Sequence, residues 1–321
     1  MSKNESKKIN SIHHFNPRER ASKNPISLDL IKSVFCDAIE YRGIPLGTRG
    51  MASTMGLLCL SAAIWAAYMI LSTTNPENFF IHIFDLTAVV AFSSFGVFTF
   101  LKMIRLELFQ PEDAPIIFDR KHRKIYRIGS EIAPGWMGLL KHWPMKFAEY
   151  SWDLVDAEHH AQLNVNTAAA SRIHELLFLV RKSQTDSSVV DAFSVGNSLV
   201  LGEVTVAPVW EHIRSFMEEN GPQLPLGETL RQHHKPKNYV ESVARAVNLY
   251  IGFWKEYRFL AITLTLLFPI TLPGAVLITI FSWLSYKTAI PVQWPQHVLD
   301  AIGLPMDDQS EADQSIRLHC R

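Results

Sequence analysis

Hydrophobic residues in this chain are bunched into three long runs, separated by stretches that read as a soluble protein. No charged side chain occurs between Arg49 and Glu77, and Met51–Ser72 is almost wholly apolar. As a helix it reaches roughly 33 Å, enough to cross a hydrocarbon core of about 30 Å. A second run, Phe79–Leu101, holds only His82 and Asp85 as ionisable groups, and Lys102 and Arg105 close it. The pattern predicts a transmembrane helical hairpin over 50–105, with spans at 51–72 and 79–101.

The third run, Phe259–Tyr286, would measure roughly 42 Å as one straight helix, more than a bilayer needs. Pro269, Pro273 and Gly274 break it near the middle. Two readings stay open. One is a kinked, tilted span with the C-terminal tail outside. The other is a re-entrant or interfacial helical pair that returns to the cytoplasmic side, and the basic residues on both flanks (Lys255 and Arg258, then Lys287) keep it in play. Irregular backbone at membrane depth needs protein or water around it, which favours a single crossing or a shallow hairpin over a deep loop.

From Pro115 the periodicity changes. Pro115–Asp119, a basic turn Arg120–Arg123 and Lys124–Ile128 read as a β-hairpin. Further strands are expected at Trp136–Leu140, Ala148–Trp152, Ala157–Asn164, Arg172–Lys182 and Val189–Val195. Thr205–Asn220 places Val206, Val209, Trp210, Ile213, Phe216 and Met217 at helical spacing, and Gly221 with Pro222 stops the helix. The fold class is therefore an integral-membrane α+β protein. Its soluble domain, 113–222, has antiparallel strands closed by one helix, the layout of a pleckstrin-homology-like barrel; a generic α+β sandwich predicts the same pattern. A linker and amphipathic approach follow over 223–258, and a polar tail over 287–321. Ahead of the first span, Leu28, Ile31, Val34, Phe35 and Ile39 recur at helical spacing behind a Ser27 cap. They predict an amphipathic interfacial helix within 27–48, preceded by a disordered basic segment over 1–26.

Charge sets the expected orientation. Basic residues flank the outer ends of the hairpin, while Glu77 is the only charge in its short tip, Thr73–Asn78. The positive-inside rule then puts the N-terminus and the soluble domain in the cytoplasm, in a multi-pass membrane protein. The first 50 residues are too polar and too long for a secretory signal, so the first span is expected to be an uncleaved anchor. Basic and acidic residues balance at 31 each, which argues against nucleic acid as an electrostatic partner. Cys36, Cys59 and Cys320 show no zinc spacing, so neither a disulfide framework nor a structural metal is expected.

Four short phrases carry a resemblance: Pro115–Arg120, Lys124–Tyr126, Tyr150–Trp152 and the proline-broken run leading to Pro291–Pro295. Over roughly residues 40–300 the chain resembles a family of uncharacterised proteobacterial inner-membrane proteins often encoded beside type VI secretion spike and effector genes. The resemblance implies an inner-membrane setting and a link to interbacterial secretion. It hands over no mechanism and no functional residue.

The strongest local chemistry is the basic turn: Arg120, Lys121, Arg123, Lys124 and Arg127 crowd one hairpin. Such a cluster can meet an anionic leaflet or a protein partner, each cation near the surface contributing about 1 kcal/mol; the plain alternative is a solvated turn. Adjacent His159 and His160 point to opposite faces of a strand, so they cannot share one ion, and His233–His234 lies in a Lys-rich linker. Asp85 falls at the outer end of its span. No nucleophile elbow and no phosphate loop is present, so no enzyme and no cofactor is expected. The expected function is an inner-membrane-anchored interaction or adaptor protein, accessory to type VI effector export or immunity, binding the bilayer and an unidentified protein such as an effector or spike component. On that reading residues 106–250 fold alone. The alternative is a small oligomeric transport or pore component.

Overall fold

The computed structural model describes residues 11–43, 49–73, 79–130, 138, 143–166, 169–196, 201–230, 236–256 and 258–306. Two antiparallel sheets and seven helices make up the described part, an α+β arrangement. The strands are β1 (Ser11–Phe15), β2 (Ile31–Val34), β3 (Ala38–Tyr41), β4 (Ile116–Asp119), β5 (Lys124–Ser130), β6 (Met145–Ser151), β7 (Val155–Asn166), β8 (Ala169–Arg181) and β9 (Val189–Val195). One sheet runs β1-β7-β8-β9 and the other β2-β3-β4-β5-β6; neither closes into a barrel. The expected strand at Trp136–Leu140 lies outside the described residues, apart from Gly138.

Strand alternation builds the core. Ala157, Leu176, Phe178 and Phe193 project from one face of the four-stranded sheet, and Ile39, Tyr41, Phe118 and Ile125 from the five-stranded one. Helix α3 (Val206–Glu218) seals this core with its apolar stripe, and Trp210 stacks on both Phe15 and Trp152. The opposite face of the five-stranded sheet is buried too. Ala38, Ile117 and Tyr126 are covered by Val298 and Ile302 of α7 (Gln296–Ile302), which explains why Ile116–Phe118 is continuously apolar and does not alternate.

The N-terminal segment departs from expectation. Residues 27–48 hold no helix among the described positions; they contribute β2 and β3. Leu28 and Asp29 have φ of 54° and 57°, in the left-handed region, which ends any helix begun at Ser27. The apolar spacing fits a helix and a strand-turn-strand equally well, and the β4 backbone, paired from Ala38↔Asp119 to Tyr41↔Ile116, decides for strands. Residues 11–26, expected to be disordered, also belong to the domain: β1 pairs with β7, and Ile26 donates its N–H to the Pro208 carbonyl. Residues 1–10 lie outside the described set. The fragment 106–250 therefore lacks β1–β3 and α7. It would leave the β4 edge unpaired and uncover the sheet face against which α7 packs.

Among the described residues, two helices are long and apolar enough to cross a membrane, α1 (Met51–Thr73) and α2 (Phe79–Glu107). Most of their surface has no protein cover: Phe80 is 81% exposed, and Trp65, Tyr68 and Phe84 stand out as well. So wide an apolar surface is of the kind that a membrane or another apolar partner would cover. The pair packs through small residues; a Cβ on Gly96 would lie 2.6 Å from that of Ala63. Cys59, on α1, is a free thiol, whereas Cys36 is disulfide-bonded.

The domain is clamped to the root of this hairpin. Glu107, at the end of α2, accepts hydrogen bonds from the N–H groups of Gly50 (2.9 Å), Ala52 (2.8 Å) and Ser53 (3.0 Å), the opening of α1. Arg49 donates to the carbonyls of Pro111 and Glu112 and to the Ser285 hydroxyl. Gly50 has φ 96°, and any Cβ there would lie 2.3 Å from the Ile278 carbonyl oxygen, so only glycine fits.

The third apolar run is split. After α4 (Tyr239–Glu256) come α5 (Arg258–Leu266) and α6 (Phe268–Thr288), with the interruption at Leu267 and not at the Pro–Gly step. Pro269 sits in the first turn of α6, where a missing N–H costs nothing.

Candidate functional site

The basic turn sits at the end of the five-stranded sheet that lies away from the hairpin root. Strand β4 leaves the root through Pro111–Pro115 and runs about 13 Å to Asp119, where the chain turns. Asp119 shapes the turn: its carboxylate accepts the His122 N–H and holds the His122 ring at 2.7 Å.

Four of the five expected cations are committed to carboxylates far away in sequence. Arg120 folds inward, donating to Asp37 (2.9 Å) and to the Cys36 carbonyl, with its guanidinium over the Phe216 ring. Arg123 bridges Asp153 (2.6 Å) and Glu218 (3.0 Å), and those hydrogen bonds hold its pKa above the ordinary arginine value. Lys124 pairs with Glu149 at 2.6 Å. Arg127 pairs with Asp191 at 3.2 Å, and Asp191 also accepts the Tyr150 hydroxyl. Lys121 is exposed and has no carboxylate partner among the described residues. It opens onto a cleft of about 530 Å³ with His122, Arg123, Lys124, Glu149 and Asp153. Three cations against two carboxylates suit a partner that is itself charged and patterned. A second cleft, about 480 Å³, lies beside it along β6, where Lys146, Ala148 and Tyr150 face Val190 and Asp191 of β9. The sequence showed the cations; it did not show their acidic partners, which lie far along the chain.

The histidines divide by strand face, as expected for His159 and His160. His160 Nε2 meets Glu158 at 2.7 Å on the outer face. On the inner face His159 Nε2 lies 2.9 Å from His174 Nδ1, with His13 across the strand pair. Burial first, then His174, lowers the His159 pKa. No group of three or more metal-ligating side chains assembles among the described residues, and His233–His234 lies outside them. Asp85 is half-buried in the second turn of α2, at the end of the hairpin remote from the domain.

His212 has a different environment. It is fully buried on α3, with Nδ1 accepting from the Tyr41 hydroxyl (2.5 Å) and Nε2–H donating to the Pro222 carbonyl (3.2 Å). Burial pushes its pKa down to about 4. The unfolded chain takes up a proton below about pH 6.5 that the folded chain refuses until about pH 4. Stability is therefore intact above pH 6.5 and falls through that window, by roughly 3 kcal/mol in all. His212→Gln is expected to flatten the fall. Urea midpoints at pH 7.5, 6, 5 and 4.5 for both proteins test it, and equal slopes would show that His212 stays out of the transition.

A family model matches residues 93–301, about two thirds of the chain. The chain belongs to the family of unknown function DUF6708. No curated protein and no solved structure matches. The DUF6708 match begins inside α2 and runs through α7, so it takes in both clefts, the basic turn and the third apolar run. Strands β1–β3 lie outside it although β3 pairs directly with β4. The match carries no statement about proteobacterial origin or secretion.

Proposed function

We propose that this DUF6708 member is a membrane-anchored interaction protein. The α1–α2 hairpin tethers the α+β domain to a bacterial inner membrane, with the N-terminus and domain held cytoplasmic by Arg49, Lys102 and Arg105. We read the domain as a pleckstrin-like module opened along the β6 and β9 edges. Its partner is a protein, and the resemblance to proteins encoded beside type VI secretion genes makes an effector or spike component the first choice.

One observation supports the reading: the basic turn and its cleft lie at the end of the sheet away from the root, open to a soluble partner. The polar residues of the spans give further support. Ser61 and Thr87 donate to carbonyls of their own helices, leaving little to line a transport path. A photo-crosslinker at Lys121 in the full chain is expected to trap a discrete protein in cells. Lys121→Glu with Lys124→Glu should reduce binding of that protein at least about ten-fold while leaving anionic-liposome binding unchanged. No adduct, or liposome binding that falls with the charge, would sink the proposal.

A further inference from the structure

We infer that residues 239–288 form a lipid-binding elbow that dips into the leaflet on the domain side and returns, without crossing the bilayer. The inference rests on the reading of α1–α2 as a membrane anchor.

Both ends of the elbow are tied to the same side. At its exit, the Ser285 hydroxyl donates to the Glu107 carbonyl and accepts from Arg49, at the hairpin root. Beyond it, Ile290 donates its N–H to Gln110 and pairs with Pro111, and Trp294 Nε1 donates to Glu40 within the sheet. α7 then buries Val298 and Ile302 against that sheet. At its entry, α4 crosses α6: the Ser242 hydroxyl donates to the Thr279 carbonyl, and Tyr239 packs edge-on against Trp283. A chain that enters and leaves beside the same polar root has not crossed.

Length gives the same answer. Helix α6 rises about 31 Å in all, but Ser285 is already held at the root, which leaves about 26 Å beyond it, short of a 30 Å core even if it stood upright. What it reaches into is apolar. Val247, Ile251 and Trp254 on α4, with Phe259, Ile262 and Leu266 on α5, are all exposed, Phe259 at 86% and Leu266 at 77%. The break at Leu267 puts the α5 side chains at the tip, with those of α4 along the approach to it, while the rim carries cations on aromatic rings: Arg49 and Arg245 over Tyr286, and Lys287 over Trp283. Aromatic rings with cations are the composition of a headgroup layer, and an apolar tip behind such a rim fits acyl chains. The surface is continuous with the lipid-facing hairpin through the contact of Gly50 with Ile278 and Ser282.

Single cysteines introduced into the full chain, with its native cysteines replaced, test this by labelling with a membrane-impermeant maleimide in intact cells and inside-out vesicles. Leu304→Cys, beyond α7, and Lys121→Cys, on the domain, are expected to react from one side and Ser72→Cys from the other. Within the vesicles that expose the domain, Leu266→Cys and Phe259→Cys should react at least about ten-fold more slowly than Leu304→Cys. Leu304→Cys reacting from the side of Ser72→Cys means a third crossing and overturns the elbow. Equal rates at Leu266→Cys and Leu304→Cys place the tip in water and overturn it too. If Ser72→Cys instead reacts from the side of Lys121→Cys, it is the anchor that fails.

Discussion

Glu107→Ala is expected to be among the most destabilising single substitutions in the membrane-proximal half of the protein, costing about 3 kcal/mol. The first turn of a helix leaves N–H groups without intrahelical acceptors, and the Glu107 carboxylate takes three of them at the start of α1. Its negative charge also meets the positive end of the helix dipole. Removal strands buried donors at the joint where α1, α2 and α6 meet. Glu107→Gln keeps one carbonyl acceptor and drops the charge, so its loss should be smaller. Thermal melts in mild detergent should rank wild type above Gln above Ala. A Glu107→Ala melt equal to wild type would show that the cap contributes nothing.

The second large effect concerns the soluble core. Arg214 and Glu211 are both buried and form a two-point contact, Nε to Oε2 at 3.0 Å and Nη2 to Oε1 at 2.7 Å. Arg214 also donates to the Pro17 carbonyl, and Glu211 accepts the Ala21 N–H, so the pair fastens the N-terminal segment onto α3. The hydrogen bonds to Glu211 and then Glu219 (2.9 Å) raise the Arg214 pKa above its ordinary value. Removing one member leaves the other charged and buried, a change that costs about 3–5 kcal/mol. Arg214→Ala is therefore expected to lower the urea midpoint sharply and to open residues 17–23 to proteolysis. The double replacement Glu211→Leu with Arg214→Met should recover much of the midpoint, because no buried charge is then left unpaired and the other partners, Arg20 and Glu219, are exposed. A double replacement as unstable as Arg214→Ala would mean that side-chain packing, not the unpaired carboxylate, sets the cost.

Much of the local structure was legible. Val189–Val195 is a strand with the expected bounds, and the stripe from Val206 to Met217 is the buried face of α3. The Pro115–Ile128 hairpin formed around the expected basic turn. These elements carry their own signals, alternation in strands and a 3.6-residue stripe in a helix. Residues 27–48 were misread because five apolar positions fit both periods, and the deciding partner, β4, lies some 77 residues downstream of β3. The cations of the turn were visible, but Asp37, Asp153, Asp191 and Glu218 reach them only through the fold. A cluster that looked free in sequence is mostly internally paired, and that moves the candidate site to Lys121 and the cleft beside it.

Sequence alone determined that two segments are long and apolar enough to cross a membrane as helices, because a helix satisfies its own backbone and about 20 apolar residues span the hydrocarbon core. It also determined that an α+β domain follows them. Tertiary structure decided where each end of the third apolar run goes. Hydropathy measures how a segment partitions, which is a property of its own residues. The route of the chain depends on hydrogen bonds such as Ser285 to Glu107 and on α7 packing against β4, contacts between residues some 180 positions apart that no window along the chain contains.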